Sequence, residues 1–297
     1  MAGTTSSMPI GWPVPPPNEA GTAPSRGGAG AAWWRIDPLA PAGYALLLLI
    51  WQGLSLVVPA FSLPSPLSVL ARLREDFFAA PDLAFYGLDN ASLFNSMIYT
   101  GENVLVAVVV GGTLGALAGL VTGRSAVLRA LLDPVMMTAG TVPILVAAPF
   151  LLIWFGVGRA SSVLLVTFYV AVILYLAAQR ASDNLEPIYE DAARTLGARD
   201  WAVLRDVVLP GTVPEILGGL RIALAGAWGL EAIAELLGAQ RGIGKVIEVL
   251  AGATEVRGIL ACLLLLGVVA VGFDALAGAG FARLSVWNQR ARIGGAA

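Results

Sequence analysis

Histidine is absent from this sequence, cysteine occurs once, and charged residues make up only 13% of the 297 positions. Without histidine the chain lacks the commonest general base and the commonest metal ligand, so a serine–histidine dyad and an HExxH zinc site are excluded. The single cysteine, Cys262, permits neither a disulfide nor a cysteine metal site within one chain. These absences give an enzymatic function little support, and we expect no catalytic residue and no metal site.

The low charge content indicates a membrane protein. A soluble domain carries about a quarter charged residues, whereas this chain is 57% hydrophobic and has a mean hydropathy of +0.79. Its net charge is −2, and no basic patch gives a footprint for nucleic acid. Membrane lipid is therefore an expected partner and nucleic acid is not.

Six apolar segments approach the roughly 20 residues that a helix needs to cross a bilayer. They lie at about 42–60, 95–122, 131–156, 160–179, 213–237 and 256–279. The fold class expected from them is an all-α membrane protein with about six transmembrane helices. Between the first two, the segment 64–77 is too polar to cross and is predicted to be a helix at the membrane surface.

The two ends of the chain differ from this apolar body. Residues 1–40 are rich in Pro, Gly and Ala and lack apolar periodicity, which predicts a disordered tail, and residues 289–297 form a short C-terminal tail. The first apolar run begins near Ala42, too far in for a signal peptide, so we expect it to remain as a span. With the N-terminus inside, twelve Lys and Arg residues fall on the inner side and six on the outer side, which predicts both termini in the cytoplasm.

A charged segment separates the fourth span from the fifth, with ten charged residues in positions 180–206. Apolar residues three and four apart predict an amphipathic helix over 183–196, with an apolar face of Leu185, Ile188, Ala192 and Leu196. Gly197 fits a position of positive φ, and Asp200 offers an N-cap for a second helix. We expect Pro210 to end that helix, and the fifth span to start anew at a Thr212 N-cap.

The spacing of residues in this segment distinguishes it from an ordinary solvated loop, which is the simpler interpretation of its charges. The pattern begins with an acidic residue and two alanines, and a glycine lies four positions after the second alanine. It ends with an aliphatic residue, one residue of any kind and then Leu-Pro. These positions are Asp191, Ala192, Ala193, Gly197, Val207, Leu209 and Pro210. The pattern resembles the EAA motif of permease subunits of bacterial ATP-binding-cassette (ABC) importers.

Other short sequences extend the resemblance over about residues 42–288 and look like the nitrate, sulfonate and taurine branch of that family. They are Leu63-Pro64-Ser65-Pro66, Leu132-Asp133-Pro134, Trp154-Phe155-Gly156-Val157-Gly158, Gly219-Leu220-Arg221-Ile222-Ala223, Ala234-Glu235-Leu236-Leu237-Gly238-Ala239 and Gly242-Ile243-Gly244. The resemblance implies a type I ABC importer permease fold with a transmembrane domain at 41–288. The loop at about 181–211 would then contain a cytoplasmic coupling helix.

The resemblance also implies a function, which is to form half of a translocation path for a small solute and to couple it to a separate ATPase. The solute would be sulfonate-, nitrate- or taurine-like, or another small organic molecule. Ala192 and Ala193 would allow close approach to the ATPase, and Gly197 would set the bend. The usual leading glutamate is replaced by Asp191 with Glu190 before it, so either carboxylate can serve the role.

The implied partners follow from the same resemblance. Two copies of a cytoplasmic ABC ATPase would bind ATP and Mg, because this chain has no GxxxxGK[ST] loop and is expected to bind no cofactor. A second permease copy or a homologous permease would complete the path, and an extracytoplasmic substrate-binding protein would deliver the solute. The implied location is the bacterial cytoplasmic (inner) membrane, crossed several times.

Two acids in the fifth span, Glu231 and Glu235, share one helical face because they are four residues apart. A carboxylate deep in a bilayer is unfavourable by a few kcal/mol or more, so both should meet polar groups. They line the translocation path, or they pair with arginines or cap backbone groups, or Glu235 lies near the outer end in water. As a relay they would suit a proton-coupled secondary transporter, the alternative function. Glu102 and Asp274 are weaker candidates.

Small residues recur in the second span at Gly111, Gly112, Gly115 and Gly119. A spacing of four places small residues on one face of a helix, which lets a neighbouring helix approach closely in lipid. We expect these glycines to serve packing rather than the substrate path.

Overall fold

The computed structural model describes residues 39–88 and 92–284, and this part of the chain is helical without strands. The predicted tails at 1–40 and 289–297 fall outside the described residues, apart from the start of the first helix. The helices are α1 (Leu39–Val57), α2 (Pro66–Asp76), α3 (Pro81–Phe85), α4 (Leu93–Arg124), α5 (Ala126–Thr141), α6 (Ile144–Phe155), α7 (Arg159–Asp183), α8 (Pro187–Thr195), α9 (Asp200–Val203), α10 (Leu209–Gly238), α11 (Ile243–Gly252) and α12 (Val256–Leu284). A π-helical turn, Leu204–Val208, joins α9 to α10.

Four helices within these ranges are long and apolar enough to cross a membrane, and the bent pair α5–α6 makes a fifth if its halves form one span. They are Leu93–Arg124, Arg159–Asp183, Asp200–Gly238 and Val256–Phe281. The first predicted span, 42–60, is instead the shorter apolar helix Pro41–Val57. It ends early because Pro59 follows, and a residue before proline is pushed out of the helical region.

Contacts divide the chain after Ile50 into two units. In the first unit, the described part of α1 exposes apolar side chains such as Tyr44, Leu47 and Leu49. In the second unit, the indole Nε1 of Trp51 donates to the Pro64 carbonyl at 3.0 Å, and Ser65 caps α2, which packs its Val69 into the interior. The predicted polar helix at 64–77 is thus present as α2.

The α4–α7 contact forms the centre of the second unit, and glycine makes it possible. A Cβ added to any of three glycines of α4 would overlap a carbonyl oxygen of α7. The pairs are Gly111 with Thr167, Gly115 with Ala171 and Gly119 with Tyr175. The predicted packing role is confirmed for these three glycines, whereas a Cβ on Gly112 would meet only ordinary side-chain contacts at 3.9 and 4.0 Å.

The register of those pairs shows that α4 and α7 run parallel, because residue numbers rise together in both helices. Both begin at one end of the bundle, called here the first end, where Arg159 pairs with Glu102 at 3.1 Å. Both finish at the second end, where a Cβ on Gly123 would overlap Ser182. The chain between them must therefore return from the second end to the first, so α5 and α6 together make a broken span.

The break in that span corrects the single helix predicted over 131–156. α5 and α6 meet at an angle of 102°, at Val142 and Pro143. Proline disfavours a helical conformation at the residue before it, and Val142 accordingly takes an extended conformation with ψ of 127°. The chain turns between α6 and α7, with φ of +80° at Gly156 and +149° at Gly158.

The remaining long helices complete the bundle. Gly219 of α10 packs on Ala177 and Gly226 on Tyr169, so α10 runs antiparallel to α7 and ends at the first end. At that end α11 follows α10 and contacts α4, where the Ile243 N–H donates to the Thr100 hydroxyl oxygen. In α12, Asp274 accepts from the Arg221 guanidinium at 3.0 and 2.6 Å, and α12 returns to the second end.

Candidate functional site

The charged segment lies at the second end, and we call residues 184–208 the elbow segment. α7 continues to Asp183, so the predicted start of the next helix at that residue is wrong. α8 begins at Pro187, after an extended Glu186 with φ of −61° and ψ of 127°. Proline explains both features, because it disfavours helix at the residue before it and suits the first position of a helix.

Gly197 ends α8 as predicted, with φ of +86°. The Ala198 N–H donates to the Ala193 carbonyl at 3.0 Å, and the Gly197 N–H donates to the Arg194 carbonyl at 2.9 Å. These two bonds form a Schellman motif, whose left-handed residue strongly favours glycine. The bend of the elbow segment is therefore set by the backbone of this glycine.

The predicted stop at Pro210 and the predicted Thr212 N-cap are both wrong. α9, the π turn and α10 form one continuous helix from Asp200 to Gly238. Pro210 lies in the first turn of α10. The π turn before it widens the helix at the place where the proline ring would otherwise clash with the backbone carbonyl of the preceding turn. Thr212 is buried inside the helix, and its hydroxyl donates to the Val208 carbonyl at 2.9 Å.

The first helix of the elbow segment is tied to α4 through Glu190. The Arg124 guanidinium donates two hydrogen bonds to the Glu190 carboxylate, both 2.8 Å long. These bonds hold the pKa of Glu190 below its usual value, although partial burial opposes the shift. Asp191 is exposed and forms no ion pair within the described part of the chain. The two neighbouring carboxylates thus differ, because Glu190 is bound to α4 and Asp191 is exposed.

The elbow segment presents apolar side chains to its surroundings. Ile188 is 65% exposed, Leu196 is 89% exposed and Trp201 is 67% exposed. Of the predicted apolar face, only Leu185 packs inward, against Gly211. Among the motif residues, Ala192 is exposed, whereas Ala193, Leu209 and Pro210 are half-buried. The apolar face predicted from sequence periodicity is therefore mostly available to another molecule.

Removing the anchor of α8 should loosen the elbow segment. In Glu190→Gln we expect amide hydrogen exchange in α8 to rise about fivefold, because a partly buried bidentate pair contributes about 1 kcal/mol. Since the pKa of Glu190 is lowered, this contribution is present at neutral pH and disappears only as pH falls through the lowered value. Asp191→Asn is the matched control and should leave exchange unchanged; equal effects of both variants would contradict the assignment.

The second candidate group lies at the first end, where Glu231 and Glu235 are both 0% exposed. The Thr100 hydroxyl lies 2.8 and 2.9 Å from the two Glu235 oxygens, and the Gly244 N–H donates to Glu235 Oε2 at 3.0 Å. The Asn103 amide donates to Glu231 Oε1 at 2.9 Å. Glu235 thus caps a backbone group, one of the interpretations left open, and lining of a translocation path by either acid stays a prediction.

These contacts fix the turn between α10 and α11. The Ile243 N–H donates to the Thr100 hydroxyl oxygen at 3.0 Å, beside the Gly244 bond to Glu235. Gly242 has φ of +104°, and a Cβ there would overlap the Glu235 carboxylate. The N-terminus of α11 is therefore capped by side chains from α4 and α10 rather than by its own preceding residue.

Sequence reasoning missed Thr100 and Asn103 as the partners of these acids. A signal was present, because two polar residues three apart in an apolar span share one helical face. The weaker candidates take different positions: Glu102 pairs with Arg159 and Asp274 pairs with Arg221, and all four side chains are at least a third exposed. Neither of these pairs joins the buried group around Glu235.

Comparisons with known proteins find similar membrane permeases. The taurine transport system permease protein TauC of Escherichia coli (strain K12) is 32% identical over 251 residues, covering 82% of this chain and 87% of that protein. The putative aliphatic sulfonates transport permease protein SsuC of Bacillus subtilis (strain 168) is 28% identical over 206 residues, covering 68% and 70%.

A solved structure gives the fold. A chain of a bacterial alginate ABC transporter, in complex with an alginate pentasaccharide-bound periplasmic protein, has a TM-score of 0.55 at 17% identity. The alignment covers 85% of this chain and 98% of that one. This likeness confirms the expected type I importer permease architecture. Residues 111–285 match the family described as binding-protein-dependent transport system inner membrane component, and the chain therefore belongs to that family.

Proposed function

We propose that this chain is the permease subunit of an ATP-driven importer for a small solute of the sulfonate or taurine class. The observation that carries the proposal is the elbow segment, which combines exposed apolar side chains with a continuous helix into the membrane. The names of the similar taurine and sulfonate permeases supply the solute class.

The elbow segment suits the transmission of force from a cytoplasmic ATPase. Ile188, Leu196 and Trp201 form an apolar surface for docking, and Asp191 adds an exposed charge that orients the partner. Glu190 would hold α8 against α4, so the division of roles between the two acids follows from their different contacts. Because the helix is unbroken between α9 and α10, a displacement of Trp201 would also move the membrane-spanning part of the helix.

Orientation and partners complete the proposal. The excess of Lys and Arg predicted for the inner side favours the elbow segment and both termini in the cytoplasm. Two ATPase copies, which bind ATP and Mg, would dock there, and a second permease copy or a homologue would complete the path. A substrate-binding protein would approach the first end. The alginate transporter structure, a complex with a periplasmic protein, supports a partner of this kind.

Co-purification with the ATPase encoded nearest to this chain tests the proposal. We expect wild type to retain the ATPase, and Gly197→Pro to lose it, because proline cannot adopt φ of +86°. Ala192→Glu should lower ATPase retention at least tenfold, because it places a charge on the exposed docking surface.

The matched control is Ala251→Glu, which adds the same charge to an exposed alanine of α11 and should retain the ATPase as wild type does. If wild type retains no ATPase and uptake follows a proton gradient, the importer proposal fails. The proton-coupled alternative, with Glu231 and Glu235 as its relay, would then take its place.

A further inference from the structure

A cleft of about 640 Å³ opens at the first end, between α4 and the turn that joins α10 to α11. Its volume falls in the range of about 300–1,000 Å³ typical of small-molecule sites. Polar side chains form much of its wall: Asn95, Ser96, Tyr99, Glu102, Gln240 and Arg241. The cleft lies beside the buried Glu231 and Glu235 but does not include them.

The charge balance of the cleft favours an anion. Among its described lining residues the carboxylate is Glu102, which is already paired with Arg159 at 3.1 Å, and the Arg159 guanidinium also lies 5.2 Å from the centre of the Tyr99 ring. Arg241 is exposed and forms no ion pair with any residue in the ranges that the structure describes. The charge left uncompensated among these groups is therefore positive.

The backbone that carries Arg241 is held firmly. Ala239 and Gly242 are buried on either side of the exposed pair Gln240 and Arg241. Gly242 packs on the Glu235 carboxylate, and the next two backbone N–H groups bond to Thr100 and Glu235. The Glu235 carboxylate thus supports the turn, and Arg241 is left exposed in the wall of the cleft.

We propose that this cleft is a binding site for the oxyanion group of the transported solute, with Arg241 as its cation. An arginine fork matches the geometry of two sulfonate or carboxylate oxygens. The amides of Asn95 and Gln240 supply further N–H donors within the same wall. The proposal rests on the proposed function for the solute class, and it adds a site on the permease itself.

Ligand-detected NMR on the full chain in lipid nanodiscs tests the site. Methanesulfonate is the probe, and dimethyl sulfone is a neutral molecule of nearly the same shape. We expect saturation transfer to methanesulfonate, displacement by nitrate, and little transfer to dimethyl sulfone. In Arg241→Gln the affinity for methanesulfonate should fall about tenfold or more, the usual effect of losing a charged hydrogen-bond partner.

Arg257→Gln is the matched control, because it removes an exposed arginine from the start of α12 outside the cleft. It should bind methanesulfonate as wild type does. Equal binding of the two probes, or unchanged affinity in Arg241→Gln, would overturn the site.

The ATPase is absent from this measurement, so its outcome is separate from that of the proposed function. In a parallel pull-down, a loss of binding-protein docking in Arg241→Gln with methanesulfonate binding intact would also overturn the site. Such a result would make the cleft a protein-docking surface.

Discussion

Gly115→Ala is expected to lower the free energy of unfolding by about 3 kcal/mol, at the upper end of the usual range for overpacking. The added Cβ would overlap the Ala171 carbonyl oxygen and its backbone neighbours, which belong to α7 and cannot rotate away. The two helices would have to separate along their whole contact, since Gly111 and Gly119 share the same register. The measurement is thermal unfolding of the purified chain in detergent, followed by its tryptophan fluorescence.

Gly112→Ala provides the matched control for that experiment. It makes the same chemical change three residues away in the same helix, but its Cβ would meet Val170 and Leu220 side chains at 3.9 and 4.0 Å. Because alanine is a better helix former than glycine, this variant should unfold at or slightly above the wild-type temperature. If the two variants were equally destabilised, helix propensity or lipid contact would be responsible and the close-packing explanation would be wrong.

Glu235→Ala is the second substitution for which a large loss in the free energy of unfolding is expected, about 1–3 kcal/mol. The change would leave the Gly244 N–H buried without an acceptor, which is unfavourable by about 1–3 kcal/mol, whereas the Thr100 hydroxyl would keep the Ser96 carbonyl at 3.1 Å as its acceptor. The turn at Gly242 would lose the group on which it packs, so methanesulfonate binding should be lost as well. Unfolding in detergent and NMR binding measure the two effects separately.

Glu248→Ala is the control for the loss of a carboxylate at the same end of the protein. Its side chain is 45% exposed and pairs with Lys245 at 2.6 Å, an arrangement of the kind that contributes about 0–1 kcal/mol. The free energy of unfolding of Glu235→Gln should lie between those of Glu235→Ala and Glu248→Ala. The glutamine keeps one acceptor oxygen but turns an amide donor toward other donors. A Glu235→Ala protein as stable as Glu248→Ala would refute the capping role.

Sequence patterns that depend on neighbouring residues predicted much of the fold. Runs of apolar residues identified the membrane helices, and glycines four apart identified the close contact of α4. The bend at Gly197 was predicted because helices commonly end at a glycine with positive φ. In each case the residues responsible are separated by no more than one or two helical turns, so their pattern can be recognised in the sequence.

Prolines were harder to interpret, because their effect depends on what surrounds them. The predicted third span contains Pro134, Pro143 and Pro149, yet only Pro143 breaks it, while the others lie inside α5 and α6. At Pro210 the preceding π turn absorbs the disturbance, and the helix continues. Sequence alone gives the position of each proline but not the local geometry that accommodates it.

The partners of the buried acids were beyond sequence reasoning for a different reason. Thr100 lies 135 positions from Glu235, and the two meet only because α4 and α10 are packed side by side. Arg241 could be identified as a basic residue of a loop, whereas its place in a cleft depends on that same packing. Long-range contacts of this kind follow from the assembled bundle rather than from any local pattern.

The unbroken helix from Asp200 to Gly238 would act as a lever if it moved as one rigid rod. Its 39 residues extend about 58 Å, from the elbow segment to the turn that carries Arg241. Gly219 lies at its midpoint and packs closely on Ala177, so a tilt of the whole helix about its centre would turn on this contact. A rod pivoted at its centre swings its two ends in opposite directions. An inward push on Trp201 would therefore carry the opposite end outward, so one side of the bundle would widen as the other narrows.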